Sequence, residues 1–283
     1  MKTDRLLPYF LILPTIIYLL IFVFAPLSKA VGLAFLTDEG RFTLGYFERM
    51  FSDGRFLEAL KYTFLLTITI VPLQLITALL IALLINTRFK GSQLFLYICA
   101  LPLGIADLAA GLILLSIFTQ HGHLNSILYH LGFIEKPFYF ISYQHMGFVF
   151  LSIVLAEHWR ATAIVLVILV AGLQMISKDL LEAADVLGAK PWQKLWHVIL
   201  PLLKPSLQSA LIIRTIFALQ MFAVVLALGG EIIPVLAGEA YFWYYIYRNN
   251  HISAAYALLL MVISILMTWI YLRFLRTRSE MRA

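Results

Sequence analysis

Six stretches of this chain are each apolar over about the twenty residues a helix needs to cross a bilayer, and that repetition constrains the fold more than any other feature. The runs cover residues 9–31, 62–85, 94–118, 146–173, 206–228 and 252–275 of 283. Lipid offers no partners to backbone N–H and C=O groups, so each run must close its own hydrogen bonds as a helix. The expectation is an all-α integral membrane protein with six transmembrane helices, built as a single transmembrane domain over residues 1–283. Only 13% of residues are charged, against about a quarter in soluble domains.

The first run follows Lys2 and Arg5 as a signal peptide would, but it is too long for one and no small-residue cleavage site follows before Lys29. It reads as an uncleaved anchor, in which Pro14 and Pro26 are tolerable because neighbouring helices can satisfy freed backbone groups. Residues 232–247 are also apolar but are interrupted by Pro234, Gly238 and Glu239, which predicts a loop outside the membrane with an interfacial aromatic cluster from Tyr241 to Tyr245. Residues 37–61 mix Phe47, Met50, Phe51, Phe56, Leu57 and Leu60 with charges. That pattern suits either short helices on the membrane surface or a loop with a few packing residues.

The net charge of +6 lies at helix ends rather than in a basic patch on a soluble stretch, which argues against a nucleic-acid partner. Placing the N-terminus in the cytoplasm puts Lys2, Arg5, Arg88, Lys90, Lys178, Lys190, Lys194, Lys204, Arg273, Arg276, Arg278 and Arg282 on that side, against Asp4, Asp179, Glu182, Asp185 and Glu280. The other side is balanced, so both termini are expected inside. The single cysteine, Cys99, sits within an apolar run and permits neither a disulfide framework nor a Cys-based zinc site.

The loop between the fourth and fifth runs, residues 177–205, reads SKDLLEAADVLGAKPWQKLWHVILPLLKP. Ser177 is a helix cap, Asp179 suits the positive helix end, Leu180, Leu181, Ala184 and Leu187 form an apolar stripe, and Gly188 supplies a stop. Pro191 fits the first turn of a second helix carrying Trp192, Leu195, Trp196 and Ile199, until Pro201 and Pro205 redirect the chain into the fifth span. Two short amphipathic helices on the cytoplasmic side are predicted. Such helices could simply rest on the bilayer.

Glu182-Ala183-Ala184, then Gly188-Ala189, then Ile199-Leu200-Pro201 give a pattern that resembles the EAA loop of ABC importer permeases. Further similarity in 42–63, Ala171 to Gln174, Arg214-Thr215, Tyr245 to Arg248 and Ala254 to Ala257 points to the carbohydrate branch related to the maltose system, of the first-permease type. The resemblance implies a type I permease fold in the cytoplasmic (inner) membrane of a prokaryote. It implies that Glu182, Ala183, Ala184, Leu187, Gly188 and Ala189 form a coupling helix seated in an ATPase cleft. The partners it implies are a second homologous permease, two ATPase subunits that bind ATP and Mg, and an extracytoplasmic solute-binding protein. The chain itself is then not an enzyme and binds no cofactor. No G-x-x-x-x-G-K-[ST] phosphate loop occurs in the sequence.

Ionisable groups within a span are costly and mark functional candidates. Glu157 and Arg160 in the fourth run are three apart and can pair on one helix face, either as a neutral structural pair or, with Trp159, as part of a sugar pocket. By resemblance, Glu157, Ala161 and Ile164, together with Phe217, Ala218, Met221 and nearby Gln220, line the substrate pathway. The family often carries an acid and a Lys where this chain has Phe217 and Gln220. Arg214 is placed near the inner end of its span, snorkelling or capping a neighbour. Asp107 marks a helix break near the outer surface, with a proton-coupling carboxylate as the rival reading. His121 and His123 lack a third ligand and read as solvated loop residues rather than a metal site. The competing function is an ion-coupled secondary transporter or channel, which would show inverted repeats around a midplane site.

Overall fold

In a computed structural model the chain is described over residues 7–274. Lys2, Asp4, Arg5, Arg276, Arg278, Glu280, Arg282 and the end of the last apolar run at residue 275 lie outside the described residues. Among those described, the only β pairing is an isolated bridge between Leu36 and Phe42. The rest is helix and connection.

The helices are α1 (Leu7–Leu19), α2 (Ala25–Phe35), α3 (Gly45–Phe51), α4 (Phe56–Asn86), α5 (Ser92–Ala100), α6 (Asp107–Phe118), α7 (His123–His130) and α8 (Met146–Gln174). They continue with α9 (Lys178–Val186), α10 (Pro191–Lys194), α11 (Leu200–Leu219), α12 (Ala223–Leu228), α13 (Leu236–Tyr245) and α14 (Asn250–Phe274). Among the described residues five unbroken stretches are long and apolar enough to cross a membrane, and there are six if the pair Ser92–Gly104 and Asp107–His130, bent by 99°, counts as one span. The third run is therefore broken at Asp107, where the sequence marks a helix break, rather than straight as its hydropathy alone predicts. Pro102 lies in a tight 3-10 turn at Leu101–Gly104, Ile105 and Ala106 are extended, and Asp107 restarts the helix in a new direction.

Three other boundaries differ from expectation. Helix α4 begins at Phe56, because Glu58 and Lys61 can project from the first turns while Phe56 and Ala59 are buried. The fifth run stops at Gln220 and resumes as the short α12. Residues 232–247 are not a surface loop: Pro234 precedes α13 rather than breaking it, Gly238 and Glu239 lie inside the helix, and Leu236, Glu239 and Phe242 are buried. The segment 37–61 does form helix, but Met50, Phe56 and Ala59 point into a core with Leu236, Ile252 and Tyr256 rather than lying on a membrane surface.

Two apolar layers organise the bundle along its length. One gathers Leu66 and Ile70 of α4, Ile153 of α8 and Val224, Val225 and Leu228 of α12. The other gathers Ala78 and Ala82 of α4, Leu166 and Leu169 of α8 and Leu203 and Ala210 of α11. Near this second layer Gly172 lets α8 approach α11 so closely that a Cβ there would sit 2.6 Å from Ser206 Cβ. The stretch Tyr9–Phe35 stands apart. It runs through a π-helical turn at Leu20–Phe24, and none of its most apolar window is buried. Only its last turns pack, with Ala34 against Ala254 and Leu258 of α14.

Candidate functional site

Between the two apolar layers lies a polar cluster drawn from four helices. Arg214 of α11 is 1% exposed, and its Nη2 sits 2.6 Å from Oε1 of Glu157 on α8, itself 2% exposed. The same carboxylate accepts from Nη2 of Arg160, one turn along, at 3.0 Å. Arg160 in turn reaches Asp107 on α6 through Nη1 at 2.9 Å. Gln74 of α4 closes the set: its Oε1 accepts from Arg214 Nε, and its Nε2 donates to the Glu157 carbonyl at 2.7 Å. Two cations face two anions, which is how charges in a low-dielectric interior become tolerable.

The chain brings these groups together for local reasons. Helix periodicity puts Glu157 and Arg160 on one face of α8. Restarting α6 at Asp107 places an acid in a first helical turn, where the helix dipole favours negative charge. Arg214 lies about 21 Å of helix rise past the start of α11 at Leu200. It is therefore deep within the span rather than snorkelling near an end, and it caps no helix. Asp107 likewise is not merely a break residue, since it pairs with Arg160. Helical spacing in the sequence joins only Glu157 to Arg160. The signal for Gln74 was an amide in an otherwise aliphatic and Thr-containing run.

The other positions assigned to a substrate pathway divide by exposure. Trp159 (43%) and Phe217 (53%) are open on the surface of this chain. Gln220, also exposed, opens onto a groove of about 540 Å³ between α11 and α14 whose wall includes Met261, Ser264 and Trp269. Ile164 is half-buried. Ala161, Ala218 and Met221 are buried inside the subunit, Met221 within the apolar layer of α12.

At the end of the bundle that carries residues 177–205, α9 and α10 project with no buried residue in either. Ser177 Oγ accepts from Asp179 N at 3.2 Å and so caps α9. Gly188 terminates it with φ +75°, and the Ala189 N–H returns to the Ala184 carbonyl at 2.9 Å. Lys194 Nζ meets Asp185 Oδ1 at 2.6 Å and ties the two helices together. Leu181 and Ala184 are half-buried, but Leu187 is 85% exposed. It follows the last turn and leaves the stripe on which helical spacing placed it. Pro201 and Pro205 do not end the second helix either. A π-helical turn at Leu195–Ile199 absorbs the register change, and α10 runs on into α11.

Glu182 and Ala183 are exposed on α9. Val186 (88%) and Leu187 at the end of α9, and Trp192 (67%) and Trp196 (50%) beyond it, are also exposed, and the two Trp rings meet edge to face at 5.4 Å. Isolated exposed apolar residues are ordinary, but four large ones within residues 186–196 of a charged protrusion mark an interaction surface. Among the described residues no group of three or more His, Cys, Asp or Glu side chains is placed to hold a metal ion. His121 lies in an exposed turn and His123 begins α7.

Residues 41–279 match the family model described as the inner membrane component of binding-protein-dependent transport systems. The chain is 33% identical, over 98% of its length and 92% of the relative's, to the sulfoquinovosyl glycerol transport system permease protein of Agrobacterium fabrum. It is 30% identical, over 97% of its length and 95% of the relative's, to the trehalose/maltose transport system permease protein of Thermococcus litoralis. Among solved structures it superposes, with a TM-score of 0.83 and 23% identity over 97% of this chain and 96% of the other, on a bacterial ABC transporter involved in import of the acidic polysaccharide alginate. That last likeness concerns the fold.

Proposed function

We propose, from the premise that the chain belongs to the family of inner membrane components of binding-protein-dependent transport systems, that it forms half of the pathway of an ATP-driven importer for a sugar or polyol solute. The observation that carries this reading is the protruding α9, with Glu182 exposed and four large apolar residues exposed within residues 186–196. A loop of this kind has no use for its exposed Leu187 and Trp192 in the chain alone. It suits a cleft on a cytoplasmic ATPase, with Glu182 facing a basic group there.

In this reading ATP and Mg are held by two ATPase subunits. Their closure pushes on α9 and, through the continuous α10–α11 helix, on Arg214 and the polar cluster. The termini and the 177–205 loop face the cytoplasm, and the chain sits in the inner membrane of a prokaryote. A second, homologous permease covers the bare flank of the Tyr9–Phe35 helix, whose most apolar window has no cover from this chain. A solute-binding protein delivers the solute to the opposite end. The sugar or polyol class is supported by relatives named for sulfoquinovosyl glycerol and for trehalose and maltose. Trp159, Phe217 and Gln220 are the pathway candidates that remain open on the surface of this chain.

The experiment is affinity purification from the native membrane followed by replacement of Glu182 with Lys. An ATPase is expected to copurify with the unaltered chain and to be lost, together with solute uptake, in Glu182→Lys. Unchanged association and uptake in that variant would remove the coupling role.

A further inference from the structure

The fully buried part of the polar cluster is not neutral. Glu157, Arg160 and Arg214 are at most 8% exposed, and the one carboxylate is shared by both guanidinium groups through Oε1. A surplus positive charge midway along a span is expensive, and Arg160 is equidistant from the ends of α8. The balancing charge comes from Asp107, which is held quite differently. Its side chain is 53% exposed against 10% for Arg160, and it stands in the first turn after the 99° bend. Arg160 Nε and Arg214 Nη1 are buried and have no hydrogen-bond partner. The cluster therefore has unused donors as well as a removable counter-charge.

A half-exposed carboxylate at this depth cannot face acyl chains, so the opening over Asp107 must be lined by water or by polar groups of another subunit. We propose that the Arg160 guanidinium covered by Asp107 is the binding position for an anionic group of the transported solute, a carboxylate, phosphate or sulfonate, with Asp107 as its tethered place-holder. This inference rests on the permease reading and narrows the solute class within it. When the ligand anion takes the place of Asp107, the buried cluster stays balanced; a neutral sugar could not displace the carboxylate without leaving the surplus charge exposed. The guanidinium is suited to the exchange, since it cannot lose its proton and its planar donors fit carboxylate and phosphate oxygens. Glu157 holds it in place from behind, so the site survives departure of Asp107.

The test uses the transporter complex purified in detergent without its solute-binding protein, with D-glucuronate as the anionic probe and D-glucose as its neutral counterpart, measured by equilibrium dialysis. Asp107→Ala is expected to bind glucuronate at least about tenfold more tightly than the unaltered complex, since the competing carboxylate is gone. Glucose should show no such gain. The double variant Asp107→Asn/Arg160→Gln keeps the charge balance and should lose glucuronate binding. Failure of Asp107→Ala to tighten or show glucuronate binding, retention of that binding in the double variant, or equal binding of glucose would overturn the proposal. Such a failure with an ATPase still copurifying removes the anion position alone and leaves the permease reading standing.

Discussion

Arg214 on α11 and Glu157 on α8 form an ion pair of 2.6 Å in which neither side chain is more than 2% exposed. Removing Arg214 leaves Glu157 and Asp107 against Arg160 alone, two anions to one cation at a site where only Asp107 is open. Arg214→Met is therefore expected to lower stability by about 3–5 kcal/mol, read as a fall in the thermal midpoint of the detergent-solubilised protein. The double change Arg214→Met/Glu157→Gln, which removes both charges, should recover part of the loss. If Arg214→Met alone is as stable as the unaltered protein, the cluster does not hold α8 to α11.

Gln74 offers a milder probe of the same contact. Its amide links the Arg214 side chain to the Glu157 backbone, so Gln74→Leu strands a donor and an acceptor while preserving volume. A loss of about 1–3 kcal/mol is expected. Gln74→Glu keeps the acceptor for Arg214 but sets three carboxylates against two arginines and an oxygen against the Glu157 carbonyl, so it should cost at least as much as Gln74→Leu, a ranking that thermal unfolding of the two variants decides.

The apolar runs were legible because the bilayer imposes a length that a sequence window can measure. The cluster was not, because nothing local joins Gln74 to Arg214, which are 140 residues apart. Helical spacing links only Glu157 and Arg160. The break at Asp107 was legible from Pro102 and Gly104 just before it, but averaging over a run from 94 to 118 hides how sharply the chain turns there, by 99° across two extended residues. The α13 helix was hidden by Pro234, whose effect falls before the helix, and by Glu239, whose buried charge is matched by Arg55 at 3.3 Å. The caps of α9 were readable from Ser177 and Gly188 because capping is a property of a few adjacent residues.

Gly172 tests how closely α8 and α11 must approach. A Cβ at this position would lie 2.6 Å from Ser206 Cβ and 2.9 Å from Leu203 Cδ1. Gly172→Ala is expected to destabilise by about 1–3 kcal/mol through overpacking, despite the better helix propensity of Ala. Gly172→Ala/Ser206→Gly, which returns the space from the other helix, should restore much of the thermal midpoint. No recovery in the double variant would mean that the cost lies outside this contact.

The protruding helices should behave in the opposite way. Leu187 and Val186 are more than four-fifths exposed, so Leu187→Ser should change the thermal midpoint of the isolated chain little, with surface changes usually within about 0.5 kcal/mol. The same change should weaken copurification of the ATPase, because it removes apolar surface from the proposed contact. Asp185→Asn, which cuts the tie to Lys194 at 2.6 Å, is expected to cost no more than about 1 kcal/mol of stability, as for other exposed pairs. Weakened association after Leu187→Ser without loss of fold separates a docking surface from a structural one. A fall in thermal midpoint as large as that of Gly172→Ala would show instead that Leu187 packs within the chain.

Glu239 gives the opposite end of the molecule a pH dependence of known sign. Burial pushes its carboxyl above the ordinary 4.5, Arg55 pulls it back, and Asp53 and Glu231 push it further up. Because the folded form holds the proton more tightly than the unfolded chain, stability from this group is present at low pH and is lost as pH rises through its raised value. Acidification from about pH 7.5 to about pH 5 should therefore strengthen the packing of α13 on α4 relative to the rest of the molecule. Hydrogen exchange in α13 is the suitable readout, since other carboxylates dominate global unfolding. Protection there should increase on acidification in the unaltered protein and become pH-independent, after correction for intrinsic exchange, in Glu239→Gln. An unchanged pH response in Glu239→Gln would show that Glu239 does not carry it.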